Sequence, residues 1–230
     1  MIKVNRLEKP SILVQNATIW TENYLIAKSN NEQGKTFENK KILENALKKY
    51  NHETVKTALK LMFHEKCVFC ESNITQVYAG DIEHFKPKSK FPELCFKWEN
   101  LLFACSICNG KSNKGDKFPL ENEGGLLINP VDEDPADFFR FEFDDITKLF
   151  LLIPQNERAV TMLKTIKLNR DGLAEFRTRE LIKIIEIVSL IENDNEKLKQ
   201  FVEIFSPKDQ YYAFIYTILN KIKAKFNLKS

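Results

Sequence analysis

The sequence predicts an α+β protein, mainly α-helical, built as a clipped central segment between two helical flanks. Three observations carry that expectation. Apolar residues recur at helical spacing before residue 64 and again beyond residue 155. Two Cys-x-x-Cys pairs, Cys67/Cys70 and Cys105/Cys108, lie 34 residues apart between those flanks. The same central stretch concentrates His84, Trp98 and a Gly/Asn/Lys-rich run at 109–115. At 230 residues the chain is long enough for one good-sized core, or for a small module completed by surrounding helices. We therefore divide it into an N-terminal helical segment (1–63), a clipped core (64–119), and an acidic, turn-rich segment followed by C-terminal helices (120–230) that forms one compact unit with the core.

Residues 1–40 are rich in Asn, Lys and Glu, and Lys9-Pro10-Ser11 reads as the start of a short helix. Over 41–63 the set Ile42, Leu43, Ala46, Leu47, Tyr50, Val55, Ala58, Leu59, Met62 and Phe63 predicts one or two amphipathic helices leading into the first Cys pair. Gly124-Gly125, Asn129-Pro130 and Asp134-Pro135 punctuate the apolar run Leu126-Leu127-Ile128, so a strand or two with loops is expected over 120–145. Helices are predicted over 156–168, 173–192 and 210–226, with a break at Asn193-Asp194-Asn195. The stripe Tyr211, Phe214, Ile215, Ile218, Leu219 and Ile222 reads as core.

Composition excludes several classes. With 43% hydrophobic and 29% charged residues the chain is globular rather than disordered or fibrous. No apolar run nears the roughly 18 residues of a membrane span, and residues 1–8 lack the apolar region of a signal peptide, which predicts a cytoplasmic protein. The net charge of +3 argues little by itself. Its distribution is uneven: 1–63, 64–119, 120–198 and 199–230 carry +5, +1, −7 and +4, so the basic ends suit phosphate and the acidic middle suits solvent or a partner. Five cysteines without an export signal point to metal rather than disulfides.

Two Cys-x-x-Cys pairs offer the donor set of a tetrahedral structural zinc, because two intervening residues let one tight turn aim both sulfurs at one ion. Spacing and compartment favour zinc over an iron–sulfur cluster, a thiol redox pair or plain buried cysteines. Cys95 stands alone and reads as a small buried apolar residue. Four protein ligands leave no open position for water or substrate, so any chemistry belongs to other side chains. Asp81-Ile82-Glu83-His84-Phe85-Lys86-Pro87-Lys88 sets two carboxylates at alternate positions and a histidine beside the second. That is a cation site next to a base. Phosphodiester hydrolysis needs an activated water and a cation to neutralise developing charge. A neutral histidine takes the water's proton near pH 7, and hard oxygen ligands suit magnesium.

His84, Trp98-Glu99-Asn100-Leu101-Leu102, Cys105-Ser106-Ile107-Cys108-Asn109 and Lys114-Gly115-Asp116-Lys117-Phe118-Pro119 together resemble the zinc-clipped HNH endonucleases over about residues 67–119. With Glu83-His84-Phe85-Lys86-Pro87-Lys88, Leu126-Leu127-Ile128-Asn129-Pro130 and Ile166-Lys167-Leu168-Asn169-Arg170, the resemblance extends over about 67–180 to the HNH subunit of Septu and retron-associated anti-phage systems. It implies a ββα-metal site with His84 as general base, Asn100 as the middle residue orienting the active-site loop, and Asn109 as the helix-borne ligand of a catalytic Mg²⁺ or Mn²⁺, beside a structural Zn²⁺. The residue before the base, commonly Asp in such enzymes, is Glu83, and either Glu83 or Asp81 supplies the acidic metal ligand. Lys111, Lys114 and Lys117 follow Asn109 as phosphate contacts. The resemblance also implies nucleic acid as substrate, DNA ahead of RNA, with an ATPase subunit as partner and no membrane. The alternative is a zinc-stabilised module that binds nucleic acid or a partner without cutting; for it, His84→Ala would be silent.

Overall fold

A computed structural model describes residues 1–228. The protein is mixed helix-and-sheet and mainly helical, and its chain forms two compact units. One comprises Val4–Cys67 and Ile74–Phe118; the other comprises Met1–Lys3, Val68–Asn73 and the chain from Pro119 onward. No helix among the described residues is long and apolar enough to cross a membrane.

In the unit built on Val4–Cys67 and Ile74–Phe118, α1 (Ser11–Gln33) starts after Pro10, whose φ of −54° suits helix entry and whose missing N–H costs nothing there. The short helix expected at this point runs for 23 residues. No Gly or Pro interrupts it, and Trp20 and Tyr24 set their rings edge-on to the buried Phe96, at 5.7 and 6.1 Å. Only Leu13, Tyr24 and Ala27 bury along it, too sparse a stripe to register as periodicity. Thr36 caps α2 (Phe37–Lys48) by accepting from Asn39 N at 3.1 Å, and His52 caps α3 (Glu53–Met62) by accepting from Thr54 N at 3.2 Å. A tight turn between them, Lys49–Asn51, sets Tyr50 at the corner.

Strand β1 (Asp81–His84) pairs antiparallel with β2 (Leu101–Ala104), Asp81 opposite Ala104 and His84 opposite Leu101. All of β2 is buried. Gly80 opens β1 at φ +74°, and a Cβ there would lie 2.2 Å from the Phe103 ring, so both backbone conformation and space demand glycine. The short helix α4 (Ser106–Asn109) follows β2 after a single residue, Cys105.

In the other unit, β3 (Phe139–Asp144) and β4 (Leu149–Pro154) form an antiparallel hairpin, followed by α5 (Glu157–Ile166), α6 (Asp171–Ile191), α7 (Asn195–Glu203) and α8 (Tyr212–Lys225). The apolar run at 126–128 is not a strand. Leu127 and Ile128 are buried in irregular backbone, with the Leu126 and Leu127 carbonyls accepting from Arg158 at 2.9 and 3.3 Å. The break expected at 193–195 separates α6 from α7, and Asp194 accepts from Lys197 N at 3.1 Å as the cap of α7. The expected stripe on α8 is core: Phe214 meets the rings of Phe141 and Phe150 at 5.0 and 6.2 Å.

The run 166–170 acts as a clasp on β4. Lys167 ends α5 in the left-handed region, at φ 56°. Asn169 then imitates a neighbouring strand: Leu152 N donates to its Oδ1 at 3.0 Å and its Nδ2 donates to Leu152 O at 2.9 Å. The buried Arg177 guanidinium donates to Phe150 O at 2.6 Å and to Asn169 Oδ1 at 3.2 Å, and stacks 4.4 Å from the Phe214 ring centre. Burial pushes its pKa down to about 10. Asn169→Ala is expected to destabilise the protein by about 2 kcal/mol in urea unfolding, since it strips both Leu152 backbone groups of their partner. An unchanged midpoint would show that water replaces the amide.

Candidate metal centre and active site

Cys105 caps α4 and Cys108 lies within it, with Cys108 N donating to Cys105 Sγ at 3.4 Å. The sulfurs of Cys67, Cys70, Cys105 and Cys108 all lie within 4.8 Å of one another, and none forms a disulfide. Sulfurs arranged tetrahedrally around zinc at ~2.3 Å stand ~3.8 Å apart, so the cluster fits a metal ion such as zinc with adjustments of about an ångström or less. Cys95 is not part of it. Burial pushes its thiol up to about 12, which keeps it a neutral, apolar group.

The strand and helix beside the cluster bring several of the expected residues together. Asn109, the last residue of α4, donates from Nδ2 to Asp81 Oδ2 at 3.2 Å, and the Tyr78 hydroxyl donates to Asp81 Oδ1. That hydrogen bond, with burial and the nearby carboxylate, holds the phenol up at about 12. Asp81 and Asn109 thus meet at one edge of the β1–β2 sheet, with Asp81 accepting from both the Asn109 amide and the Tyr78 hydroxyl.

His84 is 3% exposed, and its Nε2 lies 2.9 Å from Cys95 O. A carbonyl only accepts, so the contact requires Nε2–H and leaves Nδ1 as the lone-pair nitrogen. Tyr50 meets the imidazole edge-on, with ring centres 4.7 Å apart. Burial, then the nearby Lys88 ammonium, lowers the imidazole's pKa to about 3 against the opposing pull of the Cys95 carbonyl. The ring is therefore neutral throughout the physiological range.

Glu83 and Asp81 part company. The Glu83 carboxylate is buried and forms a close ion pair with Lys114, whose Nζ also donates to His84 O at 3.0 Å. Burial raises the Glu83 pKa, and Lys114 opposes the shift. Lys114, expected as a phosphate contact, is 0% exposed and so unavailable to one. It braces the backbone of β1 instead. Lys114→Met is expected to cost about 3–5 kcal/mol in thermal or urea unfolding, because it leaves a buried carboxylate alone. Lys114→Met with Glu83→Gln should recover much of that loss, and equal losses in the single and double variants would refute the pairing.

Asn100 is buried and straps the loop after β1: Lys86 N donates to its Oδ1 at 2.8 Å, and its Nδ2 donates to Lys86 O at 3.0 Å and Leu94 O at 3.2 Å. Lys111 and Lys117 are exposed, and Lys117 Nζ donates to Ser112 O at 3.3 Å. A cavity of about 530 Å³ is lined by Asp81, Glu83, His84, Asn109 and Lys111, but also by Tyr50, Lys56, Tyr78 and Lys88. Sequence reading missed those last four. Tyr50 lies in the turn between two amphipathic helices and Lys56 on the second of them, in a stretch that advertises only packing, and Tyr78 lies in irregular chain before β1.

No protein-family profile matches the chain. It aligns at 28% identity over 259 positions with the Septu protein PtuB of Bacillus mycoides (strain KBAB4), covering 96% of this chain and 85% of the relative. With the Septu protein PtuB of Bacillus thuringiensis it shares 31% identity over 141 positions, which cover 61% of this chain and 46% of that relative. Over 96% of its length, therefore, the chain that brings Cys67, Cys70, Cys105 and Cys108 together is homologous to Septu protein PtuB.

Proposed function

We propose that the protein is a metal-dependent HNH-type endonuclease that hydrolyses phosphodiester bonds of nucleic acid, DNA ahead of RNA, and that it serves as the effector of an anti-phage defence system alongside an ATPase subunit. The observation carrying this reading is the tautomer of His84. With Nε2–H committed to Cys95 O, the ring is locked in one orientation and Nδ1 is free to accept a proton, on a residue that lines the same cavity as Asp81 and Asn109. The succession of β1, β2 and α4, with base and amide on the first strand and the helix, supports the ββα-metal reading.

The Asp81 carboxylate and the Asn109 carbonyl oxygen are hard donors suited to Mg²⁺ or Mn²⁺, which keep most of their waters, and the hydrogen bond from Asn109 Nδ2 to Asp81 Oδ2 at 3.2 Å brings the two side chains to the same edge. When bound there, such a cation supplies charge neutralisation for the phosphate and the leaving oxygen. His84 Nδ1 takes the proton of the attacking water, while Cys95 O and the Tyr50 ring keep the imidazole aligned. Asn100 holds the loop carrying Lys86 and Lys88 at the cavity edge. The Glu83–Lys114 pair braces the strand, which leaves Asp81 as the acidic ligand of the cation. Zinc held by the four cysteines is structural in this reading. Purified protein, with and without an ATPase of the same system, incubated with plasmid DNA, linear DNA and RNA in Mg²⁺ or EDTA, tests the proposal. Cleavage persisting in both EDTA and the His84→Ala variant would overturn it.

A further inference from the structure

The nuclease reading accounts for the polar edge of the cavity, Asp81 with Asn109, and takes Lys111 as a phosphate contact, but it leaves the rest of the basic lining without a role. Three lysines reach that cavity from separate parts of the chain: Lys56 from α3, Lys88 from the loop after β1 and Lys111 from the loop after α4. The remaining acidic residues of the lining are Asp116, which is exposed, and Glu83, which Lys114 occupies. Lys56 and Lys88 are half-buried, and among the described residues no carboxylate lies within ion-pairing distance of either. A polyanionic ligand would give both ammonium groups the counter-charge that the protein does not supply. Lys88 also has a seat. Its Nζ lies 5.2 Å from the centre of the Tyr50 ring, the same ring that meets His84. The α2–α3 corner thus delivers Tyr50 and Lys56 to the cavity holding the base.

We propose that Lys88, seated on Tyr50, and Lys56 form a phosphate clamp that binds the sugar–phosphate backbone of DNA and holds it at His84. For its choice of ligand the clamp rests on the nuclease reading. Lysine contacts to phosphate carry no sequence information, so the clamp confers affinity without base preference.

Binding of a short fluorescent DNA duplex by the full-length His84→Ala protein tests this between roughly 50 and 200 mM salt, where counterion release is well resolved. Lys88→Gln and Lys56→Gln should each weaken binding about fivefold to tenfold and lower the log–log salt slope by about 0.9. Tyr50→Ala should weaken binding as Lys88→Gln does, while Tyr50→Phe, which keeps the ring, should bind like the parent. Circular dichroism confirms that each variant is folded. Lys164→Gln, at an exposed position on α5, should leave the slope unchanged. Unchanged slopes in the Lys56 and Lys88 variants, an equal fall for Lys164→Gln, or no DNA binding by the His84→Ala protein would each overturn the clamp. The two readings fail separately: clamp-dependent binding together with a wild-type protein that never cleaves would sink the nuclease alone, and wild-type cleavage with unaltered slopes would sink the clamp alone.

Discussion

Replacing Cys105 by Ser, or stripping metal with a strong chelator, is expected to abolish the cooperative unfolding transition of this protein. In small zinc modules the ion contributes on the order of 10 kcal/mol of folding free energy, as much as the whole net stability of an ordinary domain. The elements it would hold are short. Strands β1 and β2 have four residues each and form a sheet of their own, too small to stand without packing. Helix α4 has one turn and takes its cap from Cys105 itself. Asn109 lies directly after Cys108, so loss of the cluster should displace the Asp81–Asn109 pair as well as melt the strands. Native mass spectrometry should find one zinc per chain, released in step with the loss of near-ultraviolet circular dichroism on chelation. A metal-free chain that keeps its melting transition would reduce the four cysteines to packing residues.

The second large effect is at His84. If Nδ1 is the general base, His84→Ala should lower the cleavage rate about 10²–10⁴-fold. Substrate affinity should stay near the parent's, because the imidazole contributes a proton acceptor rather than a phosphate contact. Removing the ring also frees the Cys95 carbonyl and opens space beside Tyr50, a cost of about 1–3 kcal/mol that thermal melting would register separately. Partial restoration of cleavage by free imidazole would tie the loss to proton transfer. An alanine variant that cuts as fast as the parent, in the same Mg²⁺ and with EDTA still inhibitory, would move the base elsewhere in the cavity.

The sequence was most legible where chemistry imposes short spacing. Two Cys-x-x-Cys pairs show as motifs because one turn must present both sulfurs, and their convergence is what the structure displays. The helices of 41–63, 156–168, 173–192 and 210–226 were readable because apolar residues recur in each at helical period, and all but α2, which buries only Ala46, bury a stripe of them. Legibility failed where partners are distant. The full length of α1 depends on Phe96, far along the chain, and the strand at 149–154 is an unbroken apolar run whose period could not distinguish strand from helix. Lys114 resembles any lysine in a basic run until Glu83 is found beside it in the interior.

By itself the sequence determined which four cysteines come together as a set able to hold a metal ion, the mainly helical character of the flanks, and the short list of groups able to do acid–base or cation chemistry, since residue type and spacing along one turn decide those things. Only the tertiary structure decided how the list divides: Asp81 to Asn109, Glu83 to Lys114, Nε2 of His84 to a backbone carbonyl, and Lys88 onto Tyr50 from a helix corner that bears no motif. The physical reason is that ionisable side chains are assigned by burial and by neighbours from other parts of the chain, and neither is written in local spacing.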